Sequence, residues 1–310
     1  MTNEKPVWFD RALRTPSERG DVAVLGARIH YEAWGKVGAP GIVLVHGSNA
    51  HLEWWRFVAP FLADRYRVAA LDLSGNGDSG WRDRYTGAVF AEETFAVTKA
   101  AQLGSRPFVV GHSFGGFVAL ETAHRFGAEL GGLVLADFTV SPPEAYTEWG
   151  MRAEREEVRP RRGTRIYADL AAALGRFRLL PEQPIRYSDV IDHVARSSLR
   201  EVEGGFTWKF DPSLFDHLEM GAAQRDKYAT LGCRSALILG EHSKDDGAQS
   251  AAYMSEMTNG FLPILTIPET HHHMMFDEPI AMAMAIAALV GAWVREDRAD
   301  EVQAALARYT

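Results

Sequence analysis

The stretch that most constrains the fold is residues 109–126, where an apolar strand meets a helix through a tight turn. Val109 and Val110 are typical of a buried strand end, and residues 114–126 have a helical pattern. Between them, Gly111-His112-Ser113-Phe114-Gly115 fits G-x-S-x-G, the turn that holds a serine on a strained elbow. Glycine is needed at both flanks because strand and helix pass close to the serine backbone, where a Cβ would clash. The pattern predicts that Ser113 projects into a cleft beside the free N–H groups of a helix N-terminus.

Strands and helices alternate on both sides of this turn. Residues 22–34 have the pattern of a hairpin, and the apolar runs 41–46, 67–71 and 132–136 are typical of strands buried on both faces. Runs 235–239 and 262–267 add two further strands, while residues 54–63, 90–103, 249–257 and a stretch from about Glu278 have helical patterns. This order predicts right-handed crossovers and an α/β fold with a mostly parallel sheet covered on both faces.

The alternation stops between Ser141 and about Ala222, where short helical patterns, prolines and an arginine-rich stretch at 152–165 replace it. We interpret residues 141–221 as a helical cap inserted between two strands, and residues 1–140 and 222–310 as the core domain. The arginine stretch also contains three glutamates. A solvated helix with internal ion pairs is therefore favoured over a site for an anionic substrate.

Composition excludes several classes of protein. The chain has 33 basic and 41 acidic residues and a formal net charge of −8, which does not favour nucleic acid or an anionic membrane. Its one cysteine, Cys233, excludes an intramolecular disulfide. The polar N-terminus leads into no signal-peptide segment, and the apolar run 280–294 is too short and too rich in alanine to span a bilayer. We expect a cytoplasmic protein without nucleic-acid or membrane partners, and a homodimer stays open.

A serine hydroxyl is a poor nucleophile at neutral pH, so it needs a base, an orienting carboxylate and donors for the oxyanion. The backbone N–H groups of Ser48, just past the strand that ends at Val45, and of Phe114 are the candidate donors. We interpret His46 as a brace of this loop, because the base is expected elsewhere in the chain.

Three consecutive histidines, His271 to His273, follow the last predicted strand, where the base is expected. They also raise the question of a metal site, and His242 could be brought near. Adjacent side chains on a loop diverge, however, whereas metal ligands must converge on one point. We therefore expect no metal and no cofactor.

Two positions compete for the acid. Asp137 follows the strand 132–136 directly, while Asp245 and Asp246 come after the next core strand. A strand-terminal aspartate can also simply cap a turn, so spacing alone does not decide between them.

Together these motifs resemble the α/β-hydrolase superfamily over nearly the whole chain except the cap. The resemblance is carried by Val43-Leu44-Val45-His46-Gly47, by the D-x-x-G-x-G-x-S turn at residues 72–79 and by the elbow at residues 111–116. It implies an eight-stranded, mostly parallel sheet with the cap inserted after strand 6. The run from His46 to Arg56 is similar to the epoxide hydrolase and haloalkane dehalogenase branch. Those enzymes carry an aspartate at the elbow and a proline where Asn49 stands, so Ser113 points to acyl transfer instead.

The resemblance also implies roles for particular residues. His272 lies seven residues before Pro279 and matches the position of the base. The usual acid position holds Ser243, which favours Asp137 as the acid, one strand earlier, over Asp245 and Asp246. Asp72 matches an aspartate that braces the turn.

We therefore expect a serine hydrolase that cleaves a carboxylic ester of modest size through an acyl-enzyme, with a small-molecule ester as its partner. The candidate substrate contacts are Asn49, His112, Trp149, Trp208 and His273. Two alternatives are a cofactor-free dioxygenase on the same fold and a receptor-like ligand-binding protein with slow turnover.

Overall fold

The computed structural model describes residues 5–142, 163–219, 224–243 and 247–307. Its strands are β1 (Glu18–Val24), β2 (Ala27–Trp34), β3 (Gly41–Val45), β4 (Arg67–Leu71), β5 (Tyr85–Thr86), β6 (Phe108–His112), β7 (Gly132–Ala136), β8 (Leu199–Val202), β9 (Gly205–Trp208), β10 (Leu218–Glu219), β11 (Ser235–Gly240) and β12 (Ile264–Ile267). Its α-helices are α1 (Val7–Arg14), α2 (Gly87–Ala100), α3 (Phe114–Phe126), α4 (Leu170–Leu174), α5 (Ser188–Ser197), α6 (Gln224–Ala229), α7 (Gly247–Met257), α8 (Met274–Asp277) and α9 (Pro279–Leu306).

Eight of these strands form one sheet in the order β1-β2-β4-β3-β6-β7-β11-β12. The pairs β1–β2 and β2–β4 are antiparallel, and the other neighbours in this sheet are parallel. Every residue of β3, β4, β6 and β7 is buried, as expected for apolar strands covered on both faces. The predicted eight-stranded, mostly parallel sheet is confirmed.

An apolar layer covers each face of the sheet. One layer contains side chains of α1 and α9, including Phe9, Ile286 and Trp293. The other contains side chains of α2 and α3, including Phe90 and Phe117. Because the core strands run parallel, their carboxyl ends share one edge of the sheet, and the loops that leave this edge can carry a site.

The predicted helix at 54–63 is wrong. This segment contains two short 3-10 turns instead, Leu52–Trp54 and Ala59–Phe61. Pro60 lacks the N–H that an α-helix interior needs, and Trp55 and Phe57 are fully buried in the core. Tertiary burial of these rings therefore outweighs the local helical pattern.

The cap is inserted after β7, the sixth strand of the large sheet, as predicted. Its described part, 163–219, contains helices α4 and α5 and also the antiparallel hairpin β8–β9. Gly204 and Gly205 both have positive φ, which permits the tight turn of this hairpin. The described part is therefore mixed rather than all helical. The boundaries 141 and 221 stay a prediction, and residues 152–162 of the arginine stretch lie outside the described residues.

Helix α9 is 28 residues long, so the expectation that this segment is too short to span a bilayer is wrong on length. By length and composition it is a helix that could cross a membrane. One side of it, with Met282, Ile286 and Val290, is fully buried in the core of the protein. These buried residues favour a core helix.

Candidate active site

Ser113 lies on a strained turn between β6 and α3, with φ 53° and ψ −123°. A Cβ added to Gly111 would lie 2.0 Å from the carbonyl oxygen of Gly115, so strand and helix backbones are in contact here. The turn is fixed by the Ser113 N–H, which donates to Ala136 O at 3.0 Å, and by the Gly116 N–H, which donates to Ser113 O at 2.7 Å. The predicted strand–turn–helix element is present.

The structure brings Ser113, His272 and Asp137 together, although they are far apart in the chain. Ser113 Oγ lies 2.9 Å from His272 Nε2. On the other side of the ring, His272 Nδ1–H donates to Asp137 Oδ2 at 2.6 Å. His272 and Asp137 are only 6% and 7% exposed, so this hydrogen bond is shielded from water. A carboxylate on Nδ1 leaves the lone pair of Nε2 facing the serine hydroxyl.

Asp137 accepts two further hydrogen bonds. Gly240 N–H donates to Oδ1 at 3.2 Å, and the Ser243 hydroxyl donates to Oδ2 at 2.5 Å. Ser243 therefore stands at the position where the resemblance puts the acid, and it supports the acid of the neighbouring strand. The sequence motif marks this position but predicts no role for Ser243. Asp245 and Asp246 lie outside the described residues.

The loop after β3 lies against the nucleophile. A Cβ added to Gly47 would be 3.4 Å from Ser113 Cβ. Phe114 is the first residue of α3, so its N–H has no acceptor within the helix. Ser48 is exposed on this loop, and no hydrogen bond of its N–H is found within the part of the chain that the structure describes. The residue before Ser48 thus lies against the nucleophile, and the oxyanion-binding role of the Ser48 and Phe114 N–H groups stays a prediction.

His46 braces this loop, as interpreted from the sequence. Its Nδ1–H donates to Gly47 O at 2.8 Å, and its Nε2 accepts from Leu73 N–H at 3.0 Å. Burial lowers the pKa of His46 to about 4, so the ring is neutral at neutral pH.

Asp72 ties the same loop to the turn after β4. Its Oδ1 accepts from Leu52 N–H at 2.7 Å and its Oδ2 from Asp78 N–H at 2.8 Å. Burial raises the pKa of Asp72 to about 7. The bracing role that the resemblance implies for Asp72 is seen in these two bonds.

The three consecutive histidines separate into two groups. His271 Nδ1 lies 3.1 Å from Asp277 Oδ2, and the ring centroids of His271 and His242 are 5.4 Å apart. His272 and His273 converge, with ring centroids 4.9 Å apart. The argument that adjacent histidines diverge is therefore wrong for this pair, which lies where the chain enters α8 with His273 at the N-cap position.

His112 completes this convergence from the elbow. Its Nε2–H donates to the carbonyl oxygen of His272 at 2.8 Å, and its ring centroid lies 5.0 Å from that of His272 and 5.6 Å from that of His273. Burial lowers the pKa of His112 well below its ordinary value and that of His273 to about 3. His112 braces the backbone of the loop that carries His272, and its predicted contact with substrate stays a prediction.

Sequence reasoning missed Gln183, a residue of the cap segment. Its Oε1 accepts from His273 N–H at 2.8 Å, and its Nε2 donates to His273 O at 3.3 Å. One side chain thus pairs with both backbone groups of the residue after His272. No motif marks this glutamine, since the contact joins positions 90 residues apart.

The remaining predicted substrate contacts are only partly near the triad. Asn49 is exposed beside Ser48, with a φ of 52°. The described contacts of Trp208 are with other aromatic residues of the cap segment, including Tyr167 and Phe177. His273, another predicted contact, packs against Trp54, with ring centroids 5.4 Å apart. Trp149 lies outside the described residues.

Comparison with known proteins agrees with this architecture. The profile of the alpha/beta hydrolase family matches residues 42–285, most of the chain. This chain belongs to the alpha/beta hydrolase family. It is 26% identical over 254 residues to Esterase Rv0045c of Mycobacterium tuberculosis, covering 80% of this chain and 82% of that protein.

Solved structures of other hydrolases share the fold. A structure of the Mycobacterium tuberculosis esterase Rv0045c superposes with a TM-score of 0.72 and 22% identity, covering 92% of this chain and 96% of that one. E-2-(acetamidomethylene)succinate hydrolase superposes with a TM-score of 0.71 and 20% identity, covering 89% of this chain and all of the other, 100%. A thioesterase domain from the curacin biosynthetic pathway has the same TM-score, 0.71, at 20% identity, covering 88% of this chain and 99% of that domain.

Proposed function

We propose that this alpha/beta hydrolase is a serine esterase that cleaves a carboxylic ester of modest size through an acyl-enzyme. The single observation that carries the proposal is the aligned contact of Ser113 Oγ, His272 and Asp137, at 2.9 Å and 2.6 Å. Membership of the family and the esterase relative support hydrolysis of ester bonds. The serine mechanism is proposed from the geometry of Ser113, His272 and Asp137.

In the acylation step Ser113 Oγ attacks the ester carbonyl while His272 Nε2 takes the hydroxyl proton. Asp137 holds the tautomer that makes this transfer feasible and stabilises the imidazolium that results. The carbonyl oxygen becomes an oxyanion, which accepts hydrogen bonds from the N–H groups of Ser48 and Phe114. Each such donor is worth about 3 kcal/mol in the transition state.

The tetrahedral intermediate then collapses. The alcohol leaves with the proton that His272 had taken, and the acyl group stays on Ser113 Oγ. In the deacylation step a water molecule gives its proton to His272 Nε2 and attacks the acyl carbonyl. His272 then returns this proton to Ser113 Oγ as the carboxylic acid leaves, so the serine hydroxyl is restored and the cycle consumes one water per ester.

The neutral state of the surrounding rings supports this assignment. His46 and His112 are buried, and burial keeps the pKa of each below its ordinary value. Both rings bond to backbone groups of the site loops rather than to Ser113. Among these three histidines, only His272 has a ring nitrogen facing the nucleophile and a carboxylate on the other nitrogen.

Stopped-flow hydrolysis of p-nitrophenyl butyrate tests the proposal. We expect a burst of p-nitrophenol equal to the enzyme concentration when deacylation is slower than acylation, and steady turnover afterwards. Ser113→Ala should lose the burst and at least about 10⁴-fold of the turnover rate. Ser105→Ala, which changes an exposed serine, is the matched control and should behave as wild type.

The same preparations separate the proposal from the dioxygenase alternative. Oxygen consumption with a heteroaromatic substrate that is equal in wild type and Ser113→Ala would contradict the esterase assignment. Tight ligand binding without turnover of any ester would contradict it as well, and would favour a receptor-like protein.

A further inference from the structure

Three imidazole rings meet beside the nucleophile. One nitrogen from each of His112, His272 and His273 lies within 4.8 Å of the nitrogens from the other two. All three residues are buried, with exposures of 1%, 6% and 4%. The proposed mechanism uses only His272, so the other two rings bring unused nitrogen atoms to the site.

The hydrogen bonds of the cluster indicate which nitrogens carry free lone pairs. His112 Nε2–H donates to His272 O, which leaves the lone pair on His112 Nδ1. This Nδ1 is buried and has no hydrogen-bond partner among the described residues. Neither ring nitrogen of His273 makes a well-formed hydrogen bond among the described residues, although the backbone groups of Leu180 and Pro181 lie close to the ring. An unpartnered nitrogen this well buried is costly unless a ligand binds it.

The same bonds match the usual surroundings of a histidine ligand. Metal-bound histidines usually donate their second N–H to a carbonyl or a carboxylate, which orients the ring. His112 donates to the carbonyl of His272, and His272 donates to the carboxylate of Asp137. Two of the three rings are thus already oriented in this way.

We propose that His112, His272 and His273 form a binding site for a divalent transition-metal ion such as Zn²⁺, and that the bound ion inhibits the enzyme. Imidazole nitrogens suit zinc, copper and nickel, whereas magnesium and calcium prefer oxygen ligands. Zinc–nitrogen bonds of about 2.0–2.1 Å bring ligand nitrogens well within 4.8 Å of one another, so the three rings must close around the ion as it binds. His272 Nδ1 is bonded to Asp137, so the ligand atom of His272 is Nε2, which lies 2.9 Å from Ser113 Oγ.

Inhibition follows from the electron pair that the ion occupies. His272 Nε2 has one lone pair, which either takes the serine proton or binds the metal. The ion is therefore an inhibitor and not a cofactor, and a chelator should restore activity. The binding site stands by itself, while the inhibition rests on the proposed function.

The chain offers a matched control for adventitious binding. Glu241, His242 and Glu269 also bring ligand atoms within 4.8 Å of one another, but all three are exposed. His242→Gln removes this surface cluster without touching the triad. His273→Phe removes two buried nitrogens and keeps a ring against Trp54 and Phe276.

Isothermal titration with ZnCl₂ on chelator-treated protein, followed by esterase assays with and without EDTA, tests the proposal. We expect one tight site in wild type, in His242→Gln and in Ser113→Ala, weakened by about 100-fold in His273→Phe. Wild-type and His242→Gln activity should fall as that site fills and return with EDTA. His272→Gln, titrated for binding only, should also bind weakly, and thermal unfolding checks that each variant is folded.

Some results would overturn the proposal. Undiminished Zn²⁺ binding in folded His273→Phe and His272→Gln would do so, and so would loss of the tight site in His242→Gln or no tight site in wild type. Tight binding in wild type and in Ser113→Ala, together with absence of any esterase activity, would leave the metal site in place and refute the proposed function instead.

Discussion

Asp137→Asn provides the sharpest perturbation of the site, because one side chain there faces three donors. His272 Nδ1–H and the Ser243 hydroxyl both donate to Oδ2, and Gly240 N–H donates to Oδ1. An asparagine can keep its oxygen toward Gly240, but its NH₂ then faces His272 Nδ1. The ring must respond by placing its proton on Nε2, and that nitrogen can no longer accept the proton of Ser113.

The opposite orientation of the amide is also unfavourable. With its oxygen toward His272, the NH₂ group would face Gly240 N–H, a buried donor left without an acceptor at a cost of about 1–3 kcal/mol. We expect kcat to fall by about 10³- to 10⁴-fold, which corresponds to about 4–5 kcal/mol of transition-state stabilisation. Hydrolysis of p-nitrophenyl butyrate measures this loss, with Asp245→Asn and Asp246→Asn as controls expected near the wild-type rate.

A second substitution tests whether the charge itself matters. Ser243 contacts the same carboxylate oxygen as His272, so Asp137→Asn/Ser243→Asp places a new carboxylate within reach of the ring. We expect the double variant to recover at least about tenfold over Asp137→Asn, since a charged hydrogen bond again orients the imidazole. Wild-type turnover in folded Asp137→Asn, or a larger loss in Asp245→Asn or Asp246→Asn, would refute this reasoning.

Three further predictions concern the support of the site. Ser243→Ala should lower kcat by about tenfold, far less than Asp137→Asn, because it removes one hydrogen bond to a carboxylate that keeps its others; an equal loss would contradict this ranking. Gln183→Ala should lower kcat by about tenfold with little change in Tm, while Gln183→Glu, which still accepts from His273 N–H, should retain more activity; equal rates in both variants would contradict the bond to that N–H. Burial holds the pKa of His46 at about 4 and that of His273 at about 3, so the folded state binds fewer protons than the unfolded state from pH 6.5 down to about 4. The stability that these two neutral histidines contribute is complete above pH 6.5 and is lost on acidification. Asp72 has the opposite effect: because its pKa is raised to about 7, the folded state gains stability as the pH falls below 7. Urea unfolding should show a net loss of a few kcal/mol between pH 7 and pH 4.5, smaller in His46→Gln, and a rise in stability would contradict the balance.

The sheet could be predicted because its signal is local. The runs that became β3, β4, β6 and β7 are short and apolar throughout, a pattern that few structures other than a doubly covered strand satisfy. The signal of the elbow is also local. A Cβ at Gly111 or at Gly115 would clash with neighbouring backbone oxygens, so both positions require glycine. The helix predicted over residues 54–63 is absent because tertiary packing buries large rings at closely spaced positions, and helical periodicity does not detect such burial.

The site was predicted unevenly for the same reason. Ser113 and His272 follow from motifs, and the position of Asp137 at a strand end made it a candidate that geometry then placed 2.6 Å from His272. The rings of His272 and His273 lie together because the chain enters α8 at this point. The general rule that neighbouring side chains on a loop diverge does not take such a helix start into account. Gln183 reaches the site from the cap through a contact that leaves no trace in the local sequence.

The central claim is that Ser113 is the residue that becomes acylated. Incubation with a p-nitrophenyl alkylphosphonate followed by intact-mass and peptide mass spectrometry tests it most directly. We predict one phosphonyl adduct per chain, mapped to the peptide that contains Ser113 and missing in Ser113→Ala. No adduct on folded wild type, or an adduct that persists in Ser113→Ala, would contradict the account.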